Sequence, residues 1–442
     1  MDIQELYRVY RDCSWRVTTD SRAISVGELF FALRGENFDG NDYAIAALEA
    51  GAAFAVVNDD APALKDAGKL AGRLIPAADP FLALQQLAIH HRNTVRDGRL
   101  PVIGLTGTNG KTTTKELLAA VLSAKYRVTA TRGNLNNDIG VPLSLLKITP
   151  ETEMAVIEMG ANHPDDIAKL VRVSQPDYGL ITNVGKAHLL GFGSFEGVKA
   201  AKGELYRWLG SREGSVIFLD MDSPDLVEMA RPVPSHVFGY GIRYQGAEIL
   251  PSTASHPFLR LKLDGEEIPT RLVGAYNATN VLAALAVGEY FGVPRRDAIA
   301  AVSAYVPANS RSQMIDTGRN TVIADAYNAN PSSMAVALEN LSVMQAPRKL
   351  ALLGGMRELG EDSMSEHKAV TDRLSELGIE AYLVGEEFEA VLKEYGTPSC
   401  ILGFFPDSDA LAAYLAEHPV EGRTILLKGS RGIRMEKVLP TI

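Results

Sequence analysis

Short apolar runs alternate with longer amphipathic stretches along most of this chain. The alternation is clearest in the last third, where five apolar runs are separated by stretches of helical periodicity. These runs cover residues 321–325, 350–353, 381–384, 400–402 and 424–427. Strict alternation of strands and helices with short connections predicts a doubly wound parallel sheet. We therefore expect a Rossmann-like, doubly wound C-terminal domain over residues 309–442.

The same alternation predicts a central α/β domain with a mostly parallel sheet over residues 99–308. Its apolar runs are 102–105, 154–158, 178–184, 215–220 and 235–240. Residues 195–209 are predicted to form one helix, and the Asp264-Gly265 pair marks a hairpin turn. Residues 1–98 contain short strands around polar turns and two helices, which predicts a small N-terminal α/β domain. The fold class is therefore α/β, with three domains.

Composition fits this organisation and excludes some functions. A length of 442 residues suggests about two to four domains. The formal net charge of −10 argues against sequence-independent nucleic-acid binding, which needs a basic surface. Cys13 and Cys400 lie far apart and form no metal or redox motif. Neither an export signal nor an apolar run of membrane-spanning length is visible. We expect a cytoplasmic protein without membrane insertion, and a monomer.

The strongest chemical signal is the run Gly104-Leu-Thr-Gly-Thr-Asn-Gly-Lys-Thr-Thr-Thr114, placed between a predicted strand and a predicted helix. Glycine-rich loops at this junction cradle polyphosphates, because backbone N–H groups and the helix N-terminus face the ligand. Lys111 would reach the terminal phosphates, and the Thr112 hydroxyl would bind magnesium. Leu105 occupies the position of the first glycine in the strict pattern, so the loop is a variant. An ordinary glycine-rich turn is the weaker alternative.

Several polar residues follow other predicted strands of the central domain. Glu158 ends one strand, where a carboxylate could hold magnesium opposite the phosphate loop. His188 follows the next strand, although a single histidine is more often structural. Residues 131–142 are predicted to form an asparagine-rich loop, for which ligand binding and structural capping both stay open. Lys202 lies in the predicted helix, where a solvated lysine is the default interpretation.

Further candidates lie in the other parts of the chain. Asn277 and Asn280 stand three residues apart at the start of a helix, where they could cap the helix or reach a nucleotide. In the C-terminal domain, Asp325-Ala-Tyr-Asn-Ala-Asn-Pro follows a strand, as does the run beginning at Lys428. Ser21 and Arg22 would suit a phosphate, but an exposed turn is the stronger interpretation for them. No dinucleotide fingerprint is present, so a nicotinamide cofactor is not expected.

These motifs together resemble the Mur ligases, ATP-dependent enzymes that build the peptide stem of peptidoglycan precursors, and the likeness covers essentially the whole chain. Within the family they are similar to the branch that adds D-alanyl-D-alanine. The closer match rests on the runs that begin at Gly133, Glu158, Ala201, Asp325 and Lys428. The resemblance implies that ATP phosphorylates the carboxylate of a UDP-N-acetylmuramoyl-tripeptide and that the amine of D-alanyl-D-alanine attacks the acyl phosphate. ATP and Mg²⁺ are the implied cofactors.

The resemblance also implies roles for individual residues. Catalysis would involve Lys111, Lys202, His188 and Glu158. Magnesium would be held by Thr112, Glu158, His188 and, if carbamylated, Lys202. ATP would be bound by Gly107, Thr108, Asn109, Gly110, Lys111, Thr112, Thr113, Asn277, Asn280, Arg311 and Asp325. The other substrates would be bound by Ser21, Arg22, Asn134, Asn136, Asn137, Asp138, Tyr327, Asn328 and Asn330. Ligands from three domains imply that domain closure assembles the site.

Three alternatives compete with this interpretation. The first is another ligase of the superfamily, such as a Mur ligase that adds a single amino acid, or a folylpolyglutamate synthetase, which lacks the first domain. A GTPase would need an Asn-Lys-x-Asp motif, and the chain contains no Asn-Lys pair. A non-catalytic nucleotide-binding module would be expected to lose the metal ligands, yet Thr112, Glu158 and His188 are present. The ligase interpretation is preferred.

Overall fold

Three sheet-centred units follow one another along the chain. The computed structural model describes residues 2–253, 256–308, 310–346 and 348–442. The predicted domain boundary at residue 309 lies outside these residues, and both domain boundaries stay predictions. Within the described residues, no helix is long and apolar enough to cross a membrane.

The first unit is a four-stranded parallel sheet flanked by helices. Its strands, in the order β1-β2-β3-β4 across the sheet, are β1 (Val17–Thr18), β2 (Leu29–Phe31), β3 (Phe54–Asn58) and β4 (Leu74–Ala77). Its helices are α1 (Ile3–Asp12), α2 (Ala44–Glu49), α3 (Ala63–Asp66) and α4 (Pro80–Thr94), with 3-10 turns at Gly40–Tyr43, Gly68–Arg73 and Val95–Gly98. Helix α4 begins where the sequence dictates, because Asp79 caps the Phe81 N–H at 2.8 Å and proline occupies the first turn.

The second unit contains a six-stranded parallel sheet in the order β10-β9-β8-β5-β7-β6. Its strands are β5 (Val102–Thr106), β6 (Val128–Ala130), β7 (Met154–Glu158), β8 (Tyr178–Ile181), β9 (Val216–Asp220) and β10 (His236–Tyr240). Its helices are α5 (Lys111–Ser123), α6 (Gly140–Leu145), α7 (Asp166–Ser174), α8 (Leu189–Phe192), α9 (Phe195–Lys202), α10 (Glu204–Gly210), α11 (Pro224–Ala230), α12 (Ile242–Gln245), α13 (Ala278–Tyr290) and α14 (Arg295–Ala304), with a 3-10 turn at Ala275–Asn277. Strands β8, β5 and β7 are neighbours, so the segments that follow them meet at one edge of the sheet.

Two details of this unit bear on the predictions. The hairpin at Asp264-Gly265 is confirmed: it joins two strands of a separate antiparallel sheet, made of β11 (Glu248–Leu250), β12 (Arg260–Leu263) and β13 (Glu266–Pro269). The single helix predicted over 195–209 is wrong, because the chain forms α9 and α10 with Gly203 between them. Glycine is a poor residue for a helix interior, and its N–H closes the end of α9 on the Lys199 carbonyl at 2.9 Å.

The third unit contains a six-stranded sheet in the order β14-β15-β19-β16-β17-β18. Its strands are β14 (Gln313–Asp316), β15 (Thr321–Asp325), β16 (Lys349–Gly354), β17 (Glu380–Val384), β18 (Ile401–Phe405) and β19 (Thr424–Lys428). Its helices are α15 (Pro331–Val343), α16 (Ser363–Leu377), α17 (Glu386–Tyr395) and α18 (Ser408–Glu417), with 3-10 turns at Gly360–Asp362 and Met435–Thr441. The five predicted parallel strands are confirmed. The sheet is nevertheless mixed, because β14 pairs with β15 in the antiparallel direction. The short, half-polar β14 carries too little apolar signal to be predicted.

The first and second units share a hydrophobic core. Buried residues of α1 and α4 pack in the same cluster as buried residues of α6, α7 and β7. Polar contacts cross the same boundary: the Tyr10 hydroxyl donates to the Leu146 carbonyl at 2.7 Å, and His91 Nε2 lies 2.9 Å from the Ile148 carbonyl. The N-terminal unit is therefore fixed to the central unit by packing as well as by the linker.

Candidate active site

A cavity of about 550 Å³ lies where the carboxyl edge of the central sheet faces the carboxyl edge of the C-terminal sheet. Ligands of open α/β sheets bind at this edge. The cavity brings together many of the predicted site residues from both units. Those lining it are Thr108, Asn109, Gly110, Lys111, Thr112, Thr113, Asn134, Asn136, Glu158, His188, Asn277, Asn280, Arg311, Asp325, Tyr327, Asn328 and Asn330.

The loop between β5 and α5 has the backbone conformation that its glycines permit. Gly107 and Gly110 adopt φ values of +149° and +77°, which are strained for other residues. A Cβ at Gly107 would lie 1.9 Å from the Thr182 hydroxyl oxygen. The side-chain amide of Asn183, just after β8, holds this loop in place. Its oxygen accepts from the Asn109 N–H at 2.9 Å, and its nitrogen donates to the Asn109 carbonyl at 3.0 Å. Thr182 and Asn183 were not among the predicted site residues, because both lie within the predicted run 178–184, whereas β8 ends at Ile181.

Lys111 folds back over this loop. Its ammonium donates to the carbonyls of Gly107 at 2.7 Å and Thr108 at 3.1 Å. Burial lowers the pKa of Lys111, the charge of Glu158 opposes that shift, and Arg311 adds to it. The cavity therefore carries a cation whose charge is only partly compensated. A bound polyphosphate would supply the missing negative charge.

Glu158 lies at the end of β7, directly opposite the start of α5. Its carboxylate accepts from the Thr112 hydroxyl at 3.1 and 3.2 Å and from the Asn136 amide at 2.9 Å. The side chain is only 1% exposed. A carboxylate beside a hydroxyl is the oxygen donor set that Mg²⁺ takes when phosphate oxygens complete its shell. Among the described residues, no group of three or more His, Cys, Asp or Glu side chains is arranged to hold a metal ion.

Lys115 lies near the Glu158 carboxylate and was not among the predicted site residues. Its side chain is fully buried, and its ammonium donates to the Thr131 carbonyl at 2.6 Å. It lies 2.8 Å from Glu116 and 4.0 Å from Glu158. A buried lysine one turn after Lys111 therefore joins the phosphate-loop helix to the strand of Glu158 and to the start of the asparagine-rich loop. Its position four residues after Lys111, on the same helix face, was the available signal.

His188 projects from the segment after β8 and contacts the C-terminal unit. It adopts φ of +51°, and its Nδ1 contacts the Glu358 carboxylate. Burial lowers the pKa of His188, and the nearby Glu358 carboxylate opposes that shift. The contact leaves Nε2 as the free ring nitrogen for a ligand. His188 lines the cavity, as its predicted role requires.

Lys202 is buried at the last position of α9 and does not line the cavity. It is 2% exposed, with its ammonium 5.7 Å from the centre of the Phe192 ring. Burial, with a smaller effect from the Lys111 charge, lowers the pKa of Lys202 to about 7. The solvated-lysine interpretation is therefore wrong for this residue, because the side chain is enclosed by protein.

Asn277 and Asn280 bond to each other and to the phosphate-loop helix. Asn277 precedes α13, but its side chain makes no capping hydrogen bond. Instead the Asn280 amide donates to Asn277 at 2.9 Å, and Asn280 accepts from the Thr114 hydroxyl at 3.1 Å. These contacts couple the start of α13 to the phosphate-loop helix. Both amides line the cavity, which leaves the nucleotide-contact interpretation standing as a prediction.

The C-terminal unit contributes the opposite wall. The Arg311 guanidinium lies 3.5 Å from the centre of the Tyr327 ring, a stacked arrangement. Asp325 pairs with Lys428 at 2.6 Å. The Asn330 amide donates to the Asn109 side chain at 2.8 Å and also caps α15, so it links that helix to the phosphate loop.

Other predicted residues lie outside this cavity. Ser21 and Arg22 occupy a turn, where Arg22 makes two 2.9 Å contacts with Asp20 and is 87% exposed. Asn137 accepts from the Gly140 N–H at 2.8 Å and so fixes the start of α6. Asp138 is an exposed residue of the same loop. The structure does not bring Ser21, Arg22, Asn137 or Asp138 to this cavity.

Family models match all three units. The model for the Mur ligase family catalytic domain matches residues 16–92, the Mur ligase middle domain matches 105–288, and the Mur ligase glutamate ligase domain matches 310–431. UDP-N-acetylmuramoyl-tripeptide–D-alanyl-D-alanine ligases are similar along the chain. That of Bacillus subtilis is 33% identical, with 96% of this chain and 92% of the relative covered. That of Escherichia coli is 36% identical, with the same coverage.

Solved structures are similar in sequence and in fold. MurF from Acinetobacter baumannii superposes with a TM-score of 0.82 at 31% identity, covering 96% of this chain and 92% of that one. MurF from Thermotoga maritima in complex with ADP has a TM-score of 0.80 at 28% identity, covering 96% of both chains. The likeness extends over all three units and includes their arrangement. This chain belongs to the Mur ligase family, within which it is most like the MurF ligases.

Proposed function

We propose that this protein is the ATP-dependent ligase that joins D-alanyl-D-alanine to UDP-N-acetylmuramoyl-tripeptide. The observation that carries the proposal is the shared cavity, where Lys111 and Glu158 of the central unit face Arg311 and Asn330 of the C-terminal unit. The Bacillus subtilis and Escherichia coli relatives are named for this activity and match 96% of the chain, which supports the same substrates. Nucleotide use is supported further by the ADP complex of the Thermotoga relative.

The proposed reaction has two steps. A carboxylate oxygen of the tripeptide forms a bond to the γ-phosphorus of ATP, and the bond from that phosphorus to the bridging oxygen breaks, which releases ADP. The amine of the dipeptide then bonds to the acyl carbon, phosphate departs with the electron pair of the broken C–O bond, and the amine loses a proton. Both steps concentrate negative charge, so preplaced cations accelerate them. Lys111 would neutralise the γ-phosphate, and Arg311, which lines the same cavity from the facing wall, would add positive charge.

Magnesium binding is part of the proposal. Thr112 and Glu158 fit one ion, since a hydroxyl and a buried carboxylate lie together at the phosphate loop. His188 and a carbamylated Lys202 would hold a second. A lysine with a pKa of about 7 is substantially neutral near that pH, and the neutral amine is the form that bonds to CO₂ and releases a proton. Bound magnesium would offset phosphate charge and orient the reacting oxygens.

The remaining roles concern the other substrates and the nucleotide. Gly107, Thr108, Asn109, Gly110 and Thr113 would cradle the phosphates, while Asn277, Asn280 and Asp325 would contact the adenosine part of ATP. Ser21, Arg22, Asn134 and Asn137 would bind the UDP-sugar, with Arg22 contacting it from an exposed turn. Asn136 and Asp138 are further substrate-binding candidates. Tyr327, Asn328 and Asn330 would shape the dipeptide side. A monomeric, cytoplasmic enzyme stays the expectation.

The test is phosphate release from ATP with each substrate supplied alone and then together. The proposal expects release only when UDP-N-acetylmuramoyl-tripeptide and D-alanyl-D-alanine are both present. Lys111→Ala should abolish it, because the γ-phosphate loses its cation. Release that instead needs UDP-N-acetylmuramoyl-dipeptide and a single amino acid would identify a Mur ligase that acts earlier. No release with any UDP-muramyl substrate would refute the ligase assignment.

A further inference from the structure

His367 is a fully buried histidine of α16 that does not line the active-site cavity. Its Nε2 accepts from the Met356 N–H at 2.8 Å, so this nitrogen carries no proton. The neutral ring then carries its proton on Nδ1, which donates to the Ser363 carbonyl at 2.7 Å. Burial lowers the pKa of His367, although the hydrogen bond to Ser363 and the charges of Glu387 and Glu366 oppose that shift. Both ring nitrogens are therefore engaged in a single tautomer.

The two hydrogen bonds hold the ends of the segment that joins β16 to α16. Met356 lies two residues after β16, and Ser363 is the first residue of α16. Glu358 lies inside this segment and adopts φ of +65°. A residue with a side chain keeps this left-handed conformation only where its surroundings hold it. The His367 ring is one of the groups that hold it, because it fixes the backbone two residues before Glu358.

Glu358 is the residue of this segment that meets the central unit. Its carboxylate contacts His188 Nδ1, and its carbonyl accepts from the Leu190 N–H at 3.4 Å. His188 also has a left-handed backbone, with φ of +51°, and it lines the active-site cavity. Because the Glu358 carboxylate occupies Nδ1, the ring presents Nε2 to a ligand. The orientation of the His188 ring therefore depends on where Glu358 is held.

We propose that His367 is a positioning residue of the ligase, which holds Glu358 in place so that Glu358 directs the His188 ring into the active-site cavity. The inference rests on the proposed function and deepens it by tracing the alignment of a cavity residue to a buried histidine of the other unit. His367 lies outside the cavity, so it acts only through this chain of contacts.

A second contact across the same boundary provides a comparison. Lys186 Nζ lies 2.8 Å from Glu366 of α16, and the Lys186 side chain is 57% exposed. Exposed ion pairs contribute little, because water and salt screen them. Lys186→Gln removes this contact between the units and leaves both hydrogen bonds of His367 in place. It should change kcat by less than about threefold.

Two substitutions of His367 separate its two hydrogen bonds. The terminal amide of glutamine reaches the position of Nε2, where its oxygen can accept from the Met356 N–H, whereas asparagine reaches only the position of Nδ1. His367→Asn should therefore release Met356, and His367→Gln should retain it in part. The matched control is His418→Asn, because His418 is an exposed histidine of the same unit and outside the cavity.

Hydrogen exchange without substrates tests the placement of Glu358 directly. In His367→Asn we expect amide exchange to rise about tenfold or more over residues 356–363 and also over residues 188–193 of the central unit. His367→Gln should show a smaller rise in both segments, and it keeps the comparison possible if His367→Asn does not fold. His418→Asn should match the wild type. A rise confined to residues 356–363 would mean that His367 acts only locally and would overturn the proposal.

Steady-state kinetics test whether the placement matters for the reaction. In His367→Asn, kcat for amide formation should fall about 10- to 100-fold, as for loss of a buried hydrogen bond. The fall should be smaller in His367→Gln. KM for ATP should stay within about twofold of the wild-type value, because Asn183 and Asn330 hold the phosphate loop independently. Equal losses in His367→Asn and Lys186→Gln would instead indicate a general weakening of the contact between units and would refute the positioning role.

A double-mutant cycle with Glu358→Ala decides whether His367 acts through Glu358. If it does, adding His367→Asn to Glu358→Ala should lower kcat by less than about twofold further. Losses that multiply would show that the two residues act independently and would overturn the proposal. Failure of the proposed function is distinguishable, since the wild-type enzyme would then form no product from UDP-N-acetylmuramoyl-tripeptide and D-alanyl-D-alanine. The exchange experiment needs no substrate and would still decide whether His367 positions the segment of His188.

Discussion

Lys115 illustrates how a single buried charge can organise the site. Its ammonium bonds to the Thr131 carbonyl and lies near the buried Glu158 carboxylate. Lys115→Met would keep the length of the side chain and remove the charge. We expect kcat/KM for ATP to fall at least about tenfold, because Glu158 and the loop after Thr131 lose their fixed partner.

The measurement for Lys115 is an ATP titration at several magnesium concentrations. If Lys115 positions Glu158, the variant should need more magnesium for half-maximal rate, which a general loss of stability would not produce. Lys147→Met is the control, since Lys147 is exposed and outside the cavity. An unchanged magnesium dependence in Lys115→Met would contradict the positioning role.

At the scale of elements, the end of α9 at Gly203 determines the environment of Lys202. The lysine stands on the last residue of that helix, buried against Phe192, while Lys199 one turn earlier pairs with Asp225 at 3.0 Å on the helix exterior. A fully hydrated lysine would stay protonated at neutral pH. Burial, with a smaller effect from the Lys111 charge, lowers the pKa of Lys202 to about 7, so more of its amine is in the neutral form that can bond to CO₂.

Carbamylation of Lys202 predicts a specific pattern of loss and rescue. Lys202→Ala should lose most activity and regain part of it with a short carboxylic acid, which replaces the carbamate oxygens. Native mass spectrometry in bicarbonate should detect the added mass of one CO₂, decreasing as pH falls below about 7, because protonation removes the reactive amine. Lys199→Ala should keep its activity. Absence of both the mass increase and the rescue would exclude the carbamate.

At the scale of the whole molecule, we expect the boundary between the first two units to be sensitive to acid. His91 of α4 is fully buried between the Tyr7 hydroxyl at 3.2 Å and the Ile148 carbonyl of the central unit. Burial lowers the pKa of His91 to about 4, although its hydrogen bond to Ile148 opposes the shift. The folded state therefore prefers the neutral ring, which donates to Ile148 and accepts from Tyr7.

The sign of the pH effect follows from this lowered pKa. An unfolded histidine titrates near pH 6.5, so the contribution of His91 is complete above that pH and is lost as pH falls toward 4. The loss is roughly 3 kcal/mol, since each pKa unit corresponds to about 1.4 kcal/mol. Urea unfolding between pH 7 and about 4 measures it. His91→Gln should flatten this part of the profile, whereas His236→Gln, at an exposed position, should not. Parallel profiles for wild type and His91→Gln would refute the prediction.

Much of the site could be predicted because its chemistry is contained in consecutive residues. The phosphate loop is specified by glycines that alone tolerate its backbone angles, followed at once by Lys111 and Thr112. Glu158 was predictable because β7 is an uninterrupted apolar run that ends on a charge. Parallel strands place their carboxyl ends at one edge, so these two segments had to meet.

The amino-acid sequence by itself therefore determined the three α/β units, the parallel core sheets and the groups predicted to face a phosphate. Only the tertiary structure decided which residues meet across units, such as Asn109 with Asn330 and His188 with Glu358. It also decided that β14 closes the C-terminal sheet in the antiparallel direction and that Lys202 is buried. The physical reason is that periodicity and turn chemistry act over a few residues. Contacts between residues more than a hundred positions apart depend on how whole units pack, which no local pattern records.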